Sequence, residues 1–84
     1  MRVFVLKENH PCCGEEFVYV CRTRDEVEKI VTDQINDEYG GERGVKKQLK
    51  ECLKDIRYNM HGECADVEFD VYETEFELPK EAQG

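Results

Sequence analysis

Apolar residues fall in clusters along the chain, and their spacing changes from strand-like to helix-like and back again. Residues 2–7 (RVFVLK) and 16–22 (EFVYVCR) are β-branched and aromatic, with apolar side chains at both parities, which predicts two strands. Pro11 and Gly14 lie between them and predict a hairpin with a long loop. Thr23 and Glu26 form a capping box: the threonine oxygen can accept the Glu26 amide while the glutamate side chain reaches back. The helix that follows puts Val27, Ile30, Val31, Ile35 and Tyr39 on one stripe, and Gly40 and Gly41 end it. A second helix is predicted over 45–60, with Val45, Leu49, Cys52, Leu53, Ile56 and Met60 on its stripe and Gly62 closing it. Residues 66–78 predict a last strand. Val67, Phe69 and Val71 share one parity, whereas Tyr72, Phe76 and Leu78 share the other. A phase change of one residue predicts a β-bulge near Val71 and Tyr72.

The expected fold class is therefore α+β in the order β-β-α-α-β, a three-stranded, mainly antiparallel sheet with two helices on one face. Residues 1–78 read as a single domain and 79–84 as a flexible tail. The first two strands are apolar on both faces, and two helices cover only one. An uncovered apolar face implies a partner or a second copy, unless long side chains and the tail cover it.

Composition sharpens this picture. The chain has 84 residues, with 20 acidic against 12 basic side chains and a formal charge of −8. Phosphates repel such a surface, so direct nucleic-acid binding is disfavoured and a basic protein groove is the more natural partner. The plainer alternative is that the charge keeps the domain soluble. Met1 runs straight into a strand-like stretch, and no apolar run approaches membrane length. These features lead to the expectation of a protein of the cytoplasm, or of a host cell's cytoplasm, without a membrane partner. Five cysteines, an odd number, favour thiols and metal over a disulfide framework.

Both histidines of the chain have a cysteine three places on: His10 with Cys13, and His61 with Cys64. Two such half-sites would give a structural zinc ion the tetrahedral nitrogen and sulfur donors it prefers, with Cys12 as a spare thiol in place of His10. The alternative is two loops with unliganded thiols. A shared site requires the second helix to cross the sheet obliquely, so that the last strand returns antiparallel to the first. Cys21 and Cys52 read as small core residues, with Cys52 the substitute ligand. A four-ligand zinc site leaves no open position for chemistry. No orienting third group for a Cys–His nucleophile, no phosphate loop and no paired-carboxylate site stands out, so an enzyme is not expected.

Carboxylates form the other candidate surface. Glu68, Asp70, Glu73, Glu75 and Glu77 on the last strand would share one outward side if the bulge is present, and the first helix adds Asp33 and Asp37. This acidic face could dock on a basic groove and exclude nucleic acid. Alternatively, the charges are solvated and guard an edge strand against aggregation.

The opening strand MRVFVLKE, the helix start RDEVEKI and the acidic closing strand VEFDVYETEFEL resemble those of small acidic proteins from phages and other mobile elements of Gram-positive bacteria. Several proteins of this type are anti-CRISPR inhibitors, and some bind zinc. The resemblance implies an inhibitor that binds a host CRISPR RNA-guided nuclease and blocks nucleic-acid loading. Two other functions are consistent with the residues: an adaptor that homodimerises through its open sheet face, and a redox- or metal-sensing regulator using Cys12 and Cys13.

Overall fold

A computed structural model describes residues 2–75. In chain order the elements are β1 (Arg2–His10), β2 (Glu15–Cys21), α1 (Arg24–Tyr39), α2 (Val45–Asn59), β3 (His61–Cys64) and β4 (Val67–Glu75). The fold is α+β with two helices, as expected, but the sheet has four strands rather than three. Their order is β2-β1-β4-β3, and every neighbouring pair is antiparallel. Phe76, Glu77, Leu78 and the 79–84 segment lie outside the described residues.

The added strand occupies the stretch that the sequence marks as a turn. Met60 caps α2 in the left-handed region (φ 61), and its N–H donates to the Ile56 carbonyl at 3.0 Å. The chain then extends through His61–Cys64 and reverses at Ala65 and Asp66, both with positive φ (50 and 66). Two consecutive left-handed residues are the geometry of a primed hairpin turn, whose twist suits antiparallel strands. HGEC has no β-branched residue, so local propensity conceals the strand. Packing explains it instead. A Cβ at Gly62 would stand 2.8 Å from the Cys52 carbonyl oxygen and 3.1 Å from Ile56 Cγ1. The missing side chain lets α2 lie directly on β3.

β4 pairs with β1 without a slip, from Arg2 opposite Glu75 to Asn9 opposite Glu68. The expected bulge at Val71–Tyr72 is thus absent from the described pairing. The apolar phase changes for another reason: Val71 lies opposite Leu6 on the helix side, whereas Tyr72 lies opposite Val5 on the other. Both faces carry apolar side chains at this level, so no extra residue is needed to satisfy the pattern.

Leu6, Phe69 and Val71 from the sheet meet Val27, Val31 and Ile35 of α1 and Val45, Leu49, Cys52 and Ile56 of α2 in one core. Cys21 and Cys52 are buried in it, as their positions imply. The capping box forms: the Glu26 N–H donates to Thr23 Oγ1 at 3.1 Å. The Glu26 carboxylate reaches back one residue beyond the cap and accepts the Arg22 N–H at 2.9 Å. Arg57 bridges the helices, with Nη2 2.7 Å from Glu28 Oε1 and its own carbonyl accepting from Arg24 Nη1 at 3.1 Å.

Candidate binding surface

Among the described residues the helices cover the side of the sheet defined by Leu6 and Phe69; on the opposite side Val18, Val20 and Tyr72 are exposed, whereas Val3 is buried. Register arranges that open side in rows. Val20, Val5 and Tyr72 form one row across β2, β1 and β4. Val18, Lys7, Asp70 and His61 form the next. Glu16, Asn9, Glu68 and Glu63 form the last. The face therefore runs from apolar at one end to acidic at the other. Val18, Val20 and Tyr72 are 56%, 68% and 52% exposed, and the Lys7 ammonium sits 5.6 Å from the centre of the Tyr72 ring.

At the acidic end Glu63 stands directly opposite Glu68, an arrangement that costs stability in an isolated sheet. One row further in, His61 Nδ1 lies 2.7 Å from Asp70 Oδ1. That hydrogen bond, the largest influence, raises the His61 pKa above its ordinary value against the opposing effect of desolvation. Glu63, Glu68 and the hairpin residues Pro11 and Cys12 line a shallow concavity with Asp66. The first hairpin loop and the β3–β4 turn thus lie at the same end of the sheet. β4 also runs antiparallel to β1, which is the topology a shared metal site requires.

The structure nevertheless divides the histidine and cysteine residues between two faces. His10 ends β1 on the helix side, buried, with Nε2 2.6 Å from Glu8 Oε2. Cys12 and Cys13 are exposed in the hairpin, where the Cys13 Sγ lies 3.8 Å from the His10 carbonyl oxygen. His61 and Cys64 occupy one extended strand three positions apart, so they point to opposite faces. Cys64 is buried on the helix side, and His61 is exposed on the open side. Among the described residues, no three His, Cys, Asp or Glu side chains are grouped to hold a metal ion.

The three buried thiols are held in their protonated form. Burial raises the Cys21 and Cys64 pKa values, and burial reinforced by neighbouring Cys64 pushes Cys52 up to about 12. The hydrogen bond that the Cys12 thiol makes with Cys13 raises the Cys12 pKa. A thiolate nucleophile needs the opposite environment.

The acidic side chains are likewise split. Glu68 and Asp70 face the open side, while Glu73 and Glu75 share the parity of the buried Phe69 and Val71. Glu73 and Glu75 lie 3.2 and 3.5 Å from the Arg2 guanidinium. Asp33 and Asp37 are exposed on α1, across the sheet from Glu68 and Asp70. Glu77 lies outside the described residues. The grouping expected from a bulge therefore does not arise, and Glu16 and Glu63, not singled out by the sequence, complete the acidic end instead. Their alternation within β2 and β3 was the available signal, but β3 had to be recognised first.

No protein-family model, curated protein or solved structure matches the chain significantly. Among the described residues, no helix is long and apolar enough to cross a membrane.

Proposed function

We propose that this chain is a non-catalytic binding protein whose open sheet face docks on a basic protein surface. The observation that carries this reading is the Glu16–Asn9–Glu68–Glu63 row, next to exposed Val18, Val20 and Tyr72. Like charges placed opposite one another oppose folding, and a cationic partner relieves them on binding. The apolar Val20–Val5–Tyr72 row, separated from the acidic row by the Val18–Lys7–Asp70–His61 row, supplies area that water would leave on association. The raised thiol pKa values support binding over cysteine nucleophile chemistry.

In its specific form, the resemblance makes the chain an inhibitor that occupies the nucleic-acid path of a CRISPR RNA-guided nuclease. A reconstituted nuclease–guide complex, mixed with this protein before target DNA is added, tests that partner. The expected result is a stoichiometric loss of DNA binding, weakened about tenfold by Glu63→Lys with Glu68→Lys and by added salt. Absence of a complex by size-exclusion chromatography would discard the nuclease as partner. A complex that ignores both substitutions would discard the acidic row as the contact.

A further inference from the structure

The two edges of the sheet differ in how they end. β3 is a four-residue edge with a glycine inside it, which offers little to another strand. β2 is a seven-residue edge, and five of its residues are exposed. Phe17, Val18 and Val20 are 42%, 56% and 68% exposed along it. β2 contains no lysine or proline, and its pairing with β1 has no irregularity from Phe4 opposite Cys21 to His10 opposite Glu15. Edge strands that stay unpaired are normally short, bulged, or guarded by charged side chains or proline. β2 carries Glu15 and Glu16 at its start, but its Phe17–Cys21 stretch has no charge, proline or bulge.

Its side chains also form a self-complementary series. On the open face β2 presents Glu16, Val18 and Val20, and Arg22 is the exposed bend residue directly after the strand, in sequence at the next position of the same parity. Reversed, the series runs Arg22, Val20, Val18, Glu16. An antiparallel copy with Tyr19 opposite Tyr19 would place each Glu16 opposite the partner's Arg22 and each Val18 opposite the partner's Val20. On the helix side the same register sets Phe17 opposite Cys21 of the second copy. Moving the register two residues either way sets Glu16 or Arg22 opposite a valine and discards both charge pairs. Neither the Glu16 carboxylate nor the Arg22 guanidinium has an ion-pair partner among the described residues.

We propose that the chain forms a two-fold symmetric dimer by antiparallel pairing of β2 with β2 of a second copy, centred on Tyr19 and fixed by reciprocal Glu16–Arg22 pairs. Such an isologous contact closes on itself, so it satisfies the edge without building a fibre. The two sheets become one continuous eight-stranded sheet. Val18 and Val20 of both copies meet at its centre, and the acidic row of each copy runs outward from Glu16 at the seam, the two rows lying at opposite ends of the paired strands. This proposal does not depend on what the open face binds.

The test is sedimentation equilibrium of the whole chain and three variants. The native protein is expected at twice the monomer mass, dissociating on dilution. Glu16→Arg and Arg22→Glu each convert two attractive pairs into two repulsive ones, and each is expected to weaken the dimer about tenfold or more. The swapped double variant Glu16→Arg/Arg22→Glu restores opposite charges and is expected within about threefold of the native dimer. Circular dichroism and melting temperature check that every variant is folded. A native chain that remains monomeric at millimolar concentration overturns the proposal. So does a dimer that neither single substitution weakens, or a double variant no stronger than the singles.

Discussion

Glu8 and His10, two positions apart on β1, point to the same side of the sheet, and their side chains meet at 2.6 Å in the interior. Glu8 is 2% and His10 6% exposed, and the second carboxylate oxygen of Glu8 has no hydrogen-bond partner among the described residues. The His10 ring also packs edge-on against Phe17, with centroids 5.6 Å apart. Removing one member strands the other in the core. Glu8→Leu or His10→Leu alone should cost about 3 kcal/mol, whereas the double replacement should cost distinctly less than their sum. Urea unfolding of the three variants reads this directly, and strictly additive losses would contradict the pairing.

Gly62 is fixed by the approach of α2. Gly62→Ala should destabilise the domain by about 2 kcal/mol, because its Cβ meets a backbone oxygen at 2.8 Å rather than a side chain that can turn aside. The melting temperature should fall by roughly 10 °C for a domain of this size. An unchanged melting temperature would mean that β3 does not lie under α2.

Ala65 holds a left-handed conformation (φ 50) that glycine adopts at lower cost. Ala65→Gly should stabilise the β3–β4 turn by about 0.5 kcal/mol, in contrast to the usual penalty of a new glycine. Thermal unfolding checks the sign, which reverses if the turn has another geometry.

The thiols should separate by exposure. At pH 8 a thiol reagent should label Cys12 and Cys13 in the folded protein and all five cysteines after denaturation. Cys52, with its pKa pushed up to about 12, should be among the last to react. A labelling pattern and melting temperature that a chelator leaves unchanged would discard the zinc expected from the His–Cys spacing. One zinc per chain, lost together with stability on chelation, would instead establish the shared His–Cys site.

His61 links stability to pH. Its pKa is raised in the folded state, chiefly by the hydrogen bond to Asp70, so the folded protein binds this proton more tightly than the unfolded chain. The contribution is complete below the ordinary histidine value of about 6.5 and is lost as pH rises through the folded value. The side chain is 50% exposed, so the effect should stay below about 1 kcal/mol. Comparing native and His61→Gln stability at pH 5.5 and 8.5 should show the native advantage only at the lower pH.

Legibility followed the range of the interactions. The α1 cap and stripe were readable because Thr23, Glu26 and the Val27–Val31–Ile35 spacing act within a few residues. β3 was hidden because its cause is Gly62 against Cys52 and Ile56, a contact made across the fold. The paired His–Cys spacing suggested a metal site because a short curled chain would bring the donors together, but an extended strand turns His61 and Cys64 apart.

By itself, the sequence determined the fold class, both helices, the paired opening strands and the negative charge, since periodicity and composition are local quantities. Only the tertiary structure decided which face each charge occupies. Strand register is set by pairing, and a strand turns successive side chains to opposite faces, so continuous β1–β4 pairing put Glu68 and Asp70 on one side and Glu73 and Glu75 on the other.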